Sequence, residues 1–206
     1  MLEPLKYDPT ASKKPQSQRD LLREDNVTYE EYAEWDDGNR YELVEGRLEL
    51  MSPGPNSTHQ LVTVELLKRI SRSCDDVAVI FTAPIDVILA AKEVRQPDLV
   101  ILLRSNLHRL TKRGIEGPPD IVAEILSPST SKRDRLSKTA AYAKYGIPEY
   151  WIVDPAHFYL EQHVLEDGRY RLANLFAERD VIASLRLPCV SFSMQDIADA
   201  IPEQLK

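Results

Sequence analysis

Apolar and polar positions alternate along the chain in two rhythms. A period near two marks strands, and a period near 3.6 marks helices. Residues 1–26 follow neither rhythm; they are polar and proline-containing, so they are expected to form a mobile tail ahead of one ordered domain spanning residues 27–206. Thr28-Tyr29-Glu30-Glu31 has the capping-box pattern and predicts a short helix through Trp35. The run YELVEGRLELM from Tyr41 predicts two short strands turning at Glu45-Gly46. Ser57-Thr58-His59-Gln60 reads as a second capping box, opening a helix with Leu61, Val64, Leu67 and Lys68 at helical spacing to about Cys74.

Strand patterns then follow one another: VAVIF, PIDVILA and PDLVILL, with DIVAEIL after a basic loop that contains Gly114, Gly117 and Pro118-Pro119. Ser131 can cap a helix from Lys132 to Tyr145, which Gly146-Ile147-Pro148 stops, and EYWIVD is the next strand. A strand, a helix and a strand in that order, the first nearly all apolar, predict a parallel pair flanked by helices. Two further strands flank Asp167-Gly168, and a late strand and a short helix end the pattern. The expected fold class is α/β, a single domain with a mixed β-sheet flanked by helices.

Composition changes this picture little and charge changes it more. The hydrophobic and charged fractions, 43% and 29%, are those of an ordinary globular protein. No apolar run reaches the roughly eighteen residues of a membrane span, and the first residues lack the apolar segment of a signal peptide. Cys74 and Cys189 form no CxxC pair and no zinc spacing, which predicts a reducing compartment, the cytoplasm by default, and no disulfide scaffold. A net charge of -7 argues against wrapping nucleic acid with the whole surface. Between Arg104 and Lys138, however, eight basic residues stand against four acidic ones, a local balance of +4 that leaves -11 for the remainder. Such a segment suits a phosphate-bearing partner engaged at one place, and equally a solvated face.

Glu124 is the informative residue of DIVAEIL. Among Ile121, Val122, Ala123, Ile125 and Leu126, a carboxylate is costly unless it is paired, hydrogen-bonded or bound to a metal. Asp98 opens the preceding strand after Pro97. Two carboxylates converging at one end of a sheet can hold a hard divalent cation, although Asp98 can equally bond its own loop. On the following helix Asp134, Lys138 and Tyr142 recur every four residues and share a face. Lys138 can reach back towards Glu124 to position a water or neutralise a phosphate; its plainer reading is a surface pair with Asp134, itself an ordinary first-turn acid. His108, His157 and His163 assemble no motif, and Tyr150-Trp151 reads as sheet core.

The runs YELVEGRLELMSP, QPDLVIL and IVAEILSPSTSKRDRLSKTAAYAKYGIPEYWIVDP, in this order, resemble the Uma family of restriction-endonuclease-like proteins, within the PD-(D/E)XK nuclease superfamily. The resemblance spans about Thr28 to Pro155 and continues more loosely beyond. It implies a restriction-endonuclease-like, four-stranded mixed core sheet flanked by helices, a divalent metal (magnesium, with manganese as substitute) and hydrolysis of DNA phosphodiester bonds. Asp98 matches the PD aspartate and Glu124 the D/E position. Leu126 stands where the superfamily has lysine, so that role passes to Lys138 on the next helix, with Lys132 and Lys144 as competitors. Glu42 matches an early acidic position and is an accessory candidate, set against a solvent-facing strand glutamate. His59 is a second accessory candidate, set against a structural helix-start histidine, and Asp86 is a candidate for an outer role.

The expected mechanism places the metal on Asp98, Glu124 and the Ile125 carbonyl. Lys138 assists the water, Asp134 and Tyr142 support it, and the basic residues of Arg104–Arg113 and Lys132–Arg135 hold the DNA backbone. Cutting both strands predicts a homodimer, and no membrane is involved. The rival is a catalytically silent nucleic-acid- or protein-binding module of the same fold; a hydrolase of small phosphodiesters is the weaker third.

Overall fold

The computed structural model describes residues 26–51, 54–127 and 132–205, without the side chains of residues 132–134. The expected tail therefore lies outside the described residues, as do the Ser131 cap and the Asp134 side chain. The elements are α1 (Tyr29–Ala33), β1 (Tyr41–Val44), β2 (Arg47–Leu50), α2 (Ser57–Cys74), β3 (Ala78–Thr82), β4 (Val87–Ala90), β5 (Glu93–Arg95) and β6 (Leu99–Leu103). After a 3-10 turn (Arg104–Arg109) come β7 (Leu110–Thr111), β8 (Gly114–Glu116), β9 (Ile121–Ile125), α3 (Lys132–Lys144), β10 (Glu149–Asp154), β11 (Tyr159–Glu166), β12 (Arg169–Ala177) and α4 (Met194–Ala200).

The strands form two six-stranded sheets, where the sequence pattern suggested one. The central sheet runs β12-β11-β10-β9-β6-β3, and β9 and β10 are the predicted parallel pair. The second runs β2-β1-β5-β4-β8-β7. Its short strands β5, β7 and β8 carry too few residues for a period to show, which is why the basic loop hid a hairpin. Gly114 is required there. Its φ is +138°, and a Cβ would stand 2.3 Å from the Asp86 carbonyl oxygen, the acceptor of the Ile115 N–H.

Each face of the central sheet is buried. On one face Ile121, Ala123, Ile125, Trp151 and Val153 pack with Val62, Leu66 and Ile70 of α2. On the other, Val122, Tyr150 and Ile152 pack with Tyr142 of α3. Two covered faces explain the near-continuous apolar runs of β9 and β10. Truncating the fully buried Trp151 to alanine would cost about 3–5 kcal/mol.

Local signals largely held, with corrections. Thr28 forms the expected capping box with Glu31, but the cap of α2 is Asn56, whose side chain accepts from the His59 N–H. The late strand is a single bridge, Val181 to Ser193. Cys74 and Cys189 are not free thiols: they form a disulfide, Cα atoms 5.4 Å apart, pinning the end of α2 to the C-terminal segment. Spacing in sequence says nothing about which distant residues meet in space, and the inference of a reducing compartment from cysteine usage loses its basis. No described helix is long and apolar enough to cross a membrane.

Candidate active site

β6 and β9 run antiparallel, with Leu99 opposite Ala123. One residue beyond that pair, Asp98 and Glu124 become cross-strand neighbours at the end of the sheet, on the same face as Val100 and Val122. The cis Ala83-Pro84 bond follows β3, and the Ala83 N–H donates to the Asp98 carbonyl, fixing the strand start.

Each carboxylate is held by one oxygen. Oδ2 of Asp98 accepts the Ile125 N–H at 2.8 Å and faces Nε2 of His59 at 3.1 Å. Oε1 of Glu124 accepts from Lys138 Nζ at 2.8 Å and from the Tyr142 hydroxyl at 2.7 Å. Among the described residues no donor meets Oδ1 of Asp98 or Oε2 of Glu124. The helix face predicted from four-residue spacing thus folds over the sheet end, with Lys138 and Tyr142 converging on one glutamate oxygen.

Glu42 is neither solvent-facing nor an open ligand. It is 7% exposed, and its Oε1 accepts the Gln96 N–H at 2.9 Å and pairs with Lys138 at 3.5 Å. Its Oε2 accepts from Arg95 at 3.3 Å. His59, read as structural, does reach the site: its Nε2 faces Asp98, while among the described residues its buried Nδ1 meets no partner. Asp86 sits further out, accepting from Gln96 Nε2 at 2.8 Å and the Tyr32 hydroxyl at 3.2 Å. Arg95 and Gln96 escaped the sequence reading, though the run EVRQPD offered an alternation that faces Glu93 and Arg95 the same way.

Of the two competing lysines, Lys144 pairs with Glu45 at the surface, and the Lys132 side chain lies outside the described residues. The basic turn is elsewhere too. Arg104 to Arg109 follows the far end of β6, about 17 Å from Asp98 at strand rise. Arg104 donates to the Asp75 carbonyl and Arg109 to that of Pro118, while Arg113 lies 4.3 Å over the Tyr29 ring. Arg135 does border the cleft, paired with Glu161. The cleft itself has a volume of about 320 Å³, with His59 and Leu67 of α2 on one wall, Leu50 and Met51 on another, and Glu124 and Lys138 at its base.

Burial pushes the Glu124 carboxyl up to about 7; Lys138 opposes this, and Asp98 and Glu42 reinforce it. Lys138 moves up as well. Burial would lower it, but attraction from Glu124 and Glu42 wins, so the ammonium stays protonated. Glu42 goes the other way: the penalty of burial is overcome by Lys138, Arg95 and the Gln96 N–H, so it stays ionised.

The carboxylates of Asp98, Glu124 and Glu42 outnumber Lys138 and Arg95, the cations paired with them, and among the described residues Oδ1 of Asp98 and Oε2 of Glu124 meet no donor. Among the described residues no group of three or more His, Cys, Asp or Glu side chains is arranged to hold a metal ion. The donor set suits a hard cation that keeps several waters and takes one or two carboxylates, as magnesium does.

A crystal structure described as a putative nuclease belonging to DUF820, from Anabaena variabilis, shares this fold. It has TM-score 0.69 and 19% identity over 84% of this chain and 98% of that one. The model of the Uma2 family, described as "Putative restriction endonuclease", matches residues 29–195. The chain belongs to that family. Among curated proteins the sequence finds no match.

Proposed function

We propose that this protein is a magnesium-dependent endonuclease that hydrolyses phosphodiester bonds of DNA, with Asp98, Glu124 and the Ile125 carbonyl as the metal's protein ligands. The observation carrying this reading is the pair of half-engaged carboxylates at the sheet end, each with one oxygen fixed and one without a donor among the described residues. A bound magnesium ion would supply Lewis-acid stabilisation of the phosphate and a lowered pKa for water.

The chain's own groups supply the rest. The Ile125 N–H and His59 hold Asp98 in one orientation. Tyr142 and Lys138 do the same for Glu124. Because Lys138 remains protonated, it acts as a donor that orients the attacking water and offsets negative charge on the phosphate, and not as the base. Arg135, which borders the cleft, would take a backbone phosphate in exchange for Glu161. Double-strand cutting would engage two copies related by a two-fold axis.

The test is nicking of supercoiled plasmid with magnesium, with chelator, and with Glu124→Ala. Magnesium-dependent nicking lost in the variant is the expected result. Equal behaviour of wild type and variant, with no cutting in magnesium or manganese, would overturn the reading and leave a binding module of the same fold.

A further inference from the structure

Glu42 has no oxygen left for a metal, so its burial calls for another account. Its neighbours form a row of alternating charge. Glu93, 1% exposed, accepts from Arg95 Nε at 2.7 Å, and Arg95, 3% exposed, donates onward to Glu42 at 3.3 Å. Glu42 meets Lys138 at 3.5 Å, and Lys138 meets Glu124 at 2.8 Å. Glu93 is anchored in turn by the Glu45 N–H on its second oxygen, at 2.9 Å. The row follows from topology. β5 pairs with β1 at Leu43 and Val94, which sets Arg95 beside Glu42, and β5 leads through Gln96 and Pro97 directly to Asp98.

We infer that Arg95 is a positioning residue for Lys138, acting through Glu42 and touching neither substrate nor metal. Its catalytic consequence rests on the nuclease reading above. A buried anion must be compensated. With Arg95 present, one oxygen of Glu42 is satisfied by the guanidinium, so the second needs only part of Lys138. The ammonium can then sit closer to Glu124 than to Glu42, as observed. Remove the guanidinium and Lys138 becomes the one remaining cation beside Glu42. It is drawn off Glu124 by the same attraction that now holds it in balance. Arg95 does not border the cleft, so a direct role in binding is excluded.

The experiment is a double-mutant cycle on the full chain: wild type, Arg95→Met, Glu42→Gln and both together. Two signals are read. One is the Lys138 side-chain resonance in lysine-labelled protein, assigned by its loss in Lys138→Arg. The other is plasmid nicking over a magnesium titration. Arg95→Met is expected to shift the resonance and slow nicking about 10–100-fold. The magnesium concentration for half-maximal rate should stay within about twofold, a split that general loosening of the site would not give. On the Glu42→Gln background, adding Arg95→Met should change neither signal further. Multiplying effects, or an unmoved Lys138 resonance in either single variant, would overturn the inference. Should Arg95→Met fail to fold, Arg95→Lys replaces it; the retained charge should leave the resonance nearer to wild type than Glu42→Gln does, and a folded Arg95→Lys shifted as far as Glu42→Gln is equally adverse. If wild type cuts nothing, the nuclease reading fails, while the resonance cycle still decides the role of Arg95.

Discussion

Two glutamates, Glu149 buried and Glu124 partly buried, stand on neighbouring parallel strands and face opposite sides of the central sheet. Glu149 opens β10 on the face that packs against α2, and Glu124 lies near the end of β9 on the face under α3. Glu149 is 1% exposed and meets no cation among the described residues. Its Oε1 accepts from Trp151 Nε1 at 2.6 Å and Gln162 Nε2 at 2.7 Å, and its Oε2 from Ser184 at 2.8 Å. Both oxygens are used. Glu124 has a cation, a phenol and two neighbouring acids, yet one oxygen lacks a donor among the described residues. A buried carboxylate completed by neutral donors ties a fold together. One that is crowded by charge and left half-engaged is built to receive something.

The largest effect expected from this contrast is on activity. Glu124→Gln keeps the shape and an acceptor for Tyr142 but removes the charge. Plasmid nicking should fall about 10³-fold, roughly 4 kcal/mol on the barrier, while thermal stability changes by less than about 1 kcal/mol. A variant that cuts normally would erase the distinction between the two glutamates.

The converse substitution should do the reverse. Glu149→Ala strands the Trp151, Gln162 and Ser184 donors. Ser184 also accepts the Arg186 and Leu187 N–H groups, so the C-terminal segment loses its tie to the sheet. Denaturant unfolding should show a loss of about 3 kcal/mol. Nicking per folded molecule should be unchanged, and a drop in that rate would mean Glu149 reaches the site after all.

Tyr142→Phe comes next. It removes one donor from Glu124 without disturbing the ring packing against Tyr150, 5.3 Å away. Nicking should fall about tenfold, with stability altered by about 1 kcal/mol. An undiminished rate would show that Lys138 alone orients Glu124.

Legibility in sequence divides along the same line. Glu124 was visible because a carboxylate interrupts an apolar strand, and Lys138 and Tyr142 because helical spacing places them on one face. Glu149 begins its strand, where an acid looks ordinary, and two of its three partners lie 13 and 35 residues away. The same holds for Glu42 with Arg95, 53 residues apart, and for Cys74 with Cys189, 115 apart. Periodicity reports which way a side chain faces along its own element. It is silent on which element lies opposite, so the parallel β9–β10 pair was predicted from the strand–helix–strand order, whereas the second sheet was not.

Asp86 tests the comparison at its weakest point, since it is half-way between the two cases. Its Oδ1 accepts from Gln96 and Tyr32, like the complete acid, but burial outweighs those bonds and holds its carboxyl above the ordinary aspartate range. The folded protein therefore binds this proton more tightly than the unfolded chain does. The stability the neutral group contributes is complete below the usual aspartate pKa and is lost as pH rises through the raised folded value. Asp86→Asn keeps an acceptor for both donors and cannot lose a proton. Its melting temperature relative to wild type should rise as pH is taken from 4 to 8, the smallest of these effects. A difference that is flat over that range, or falls, would mean that the Gln96 and Tyr32 hydrogen bonds fully offset the burial of Asp86.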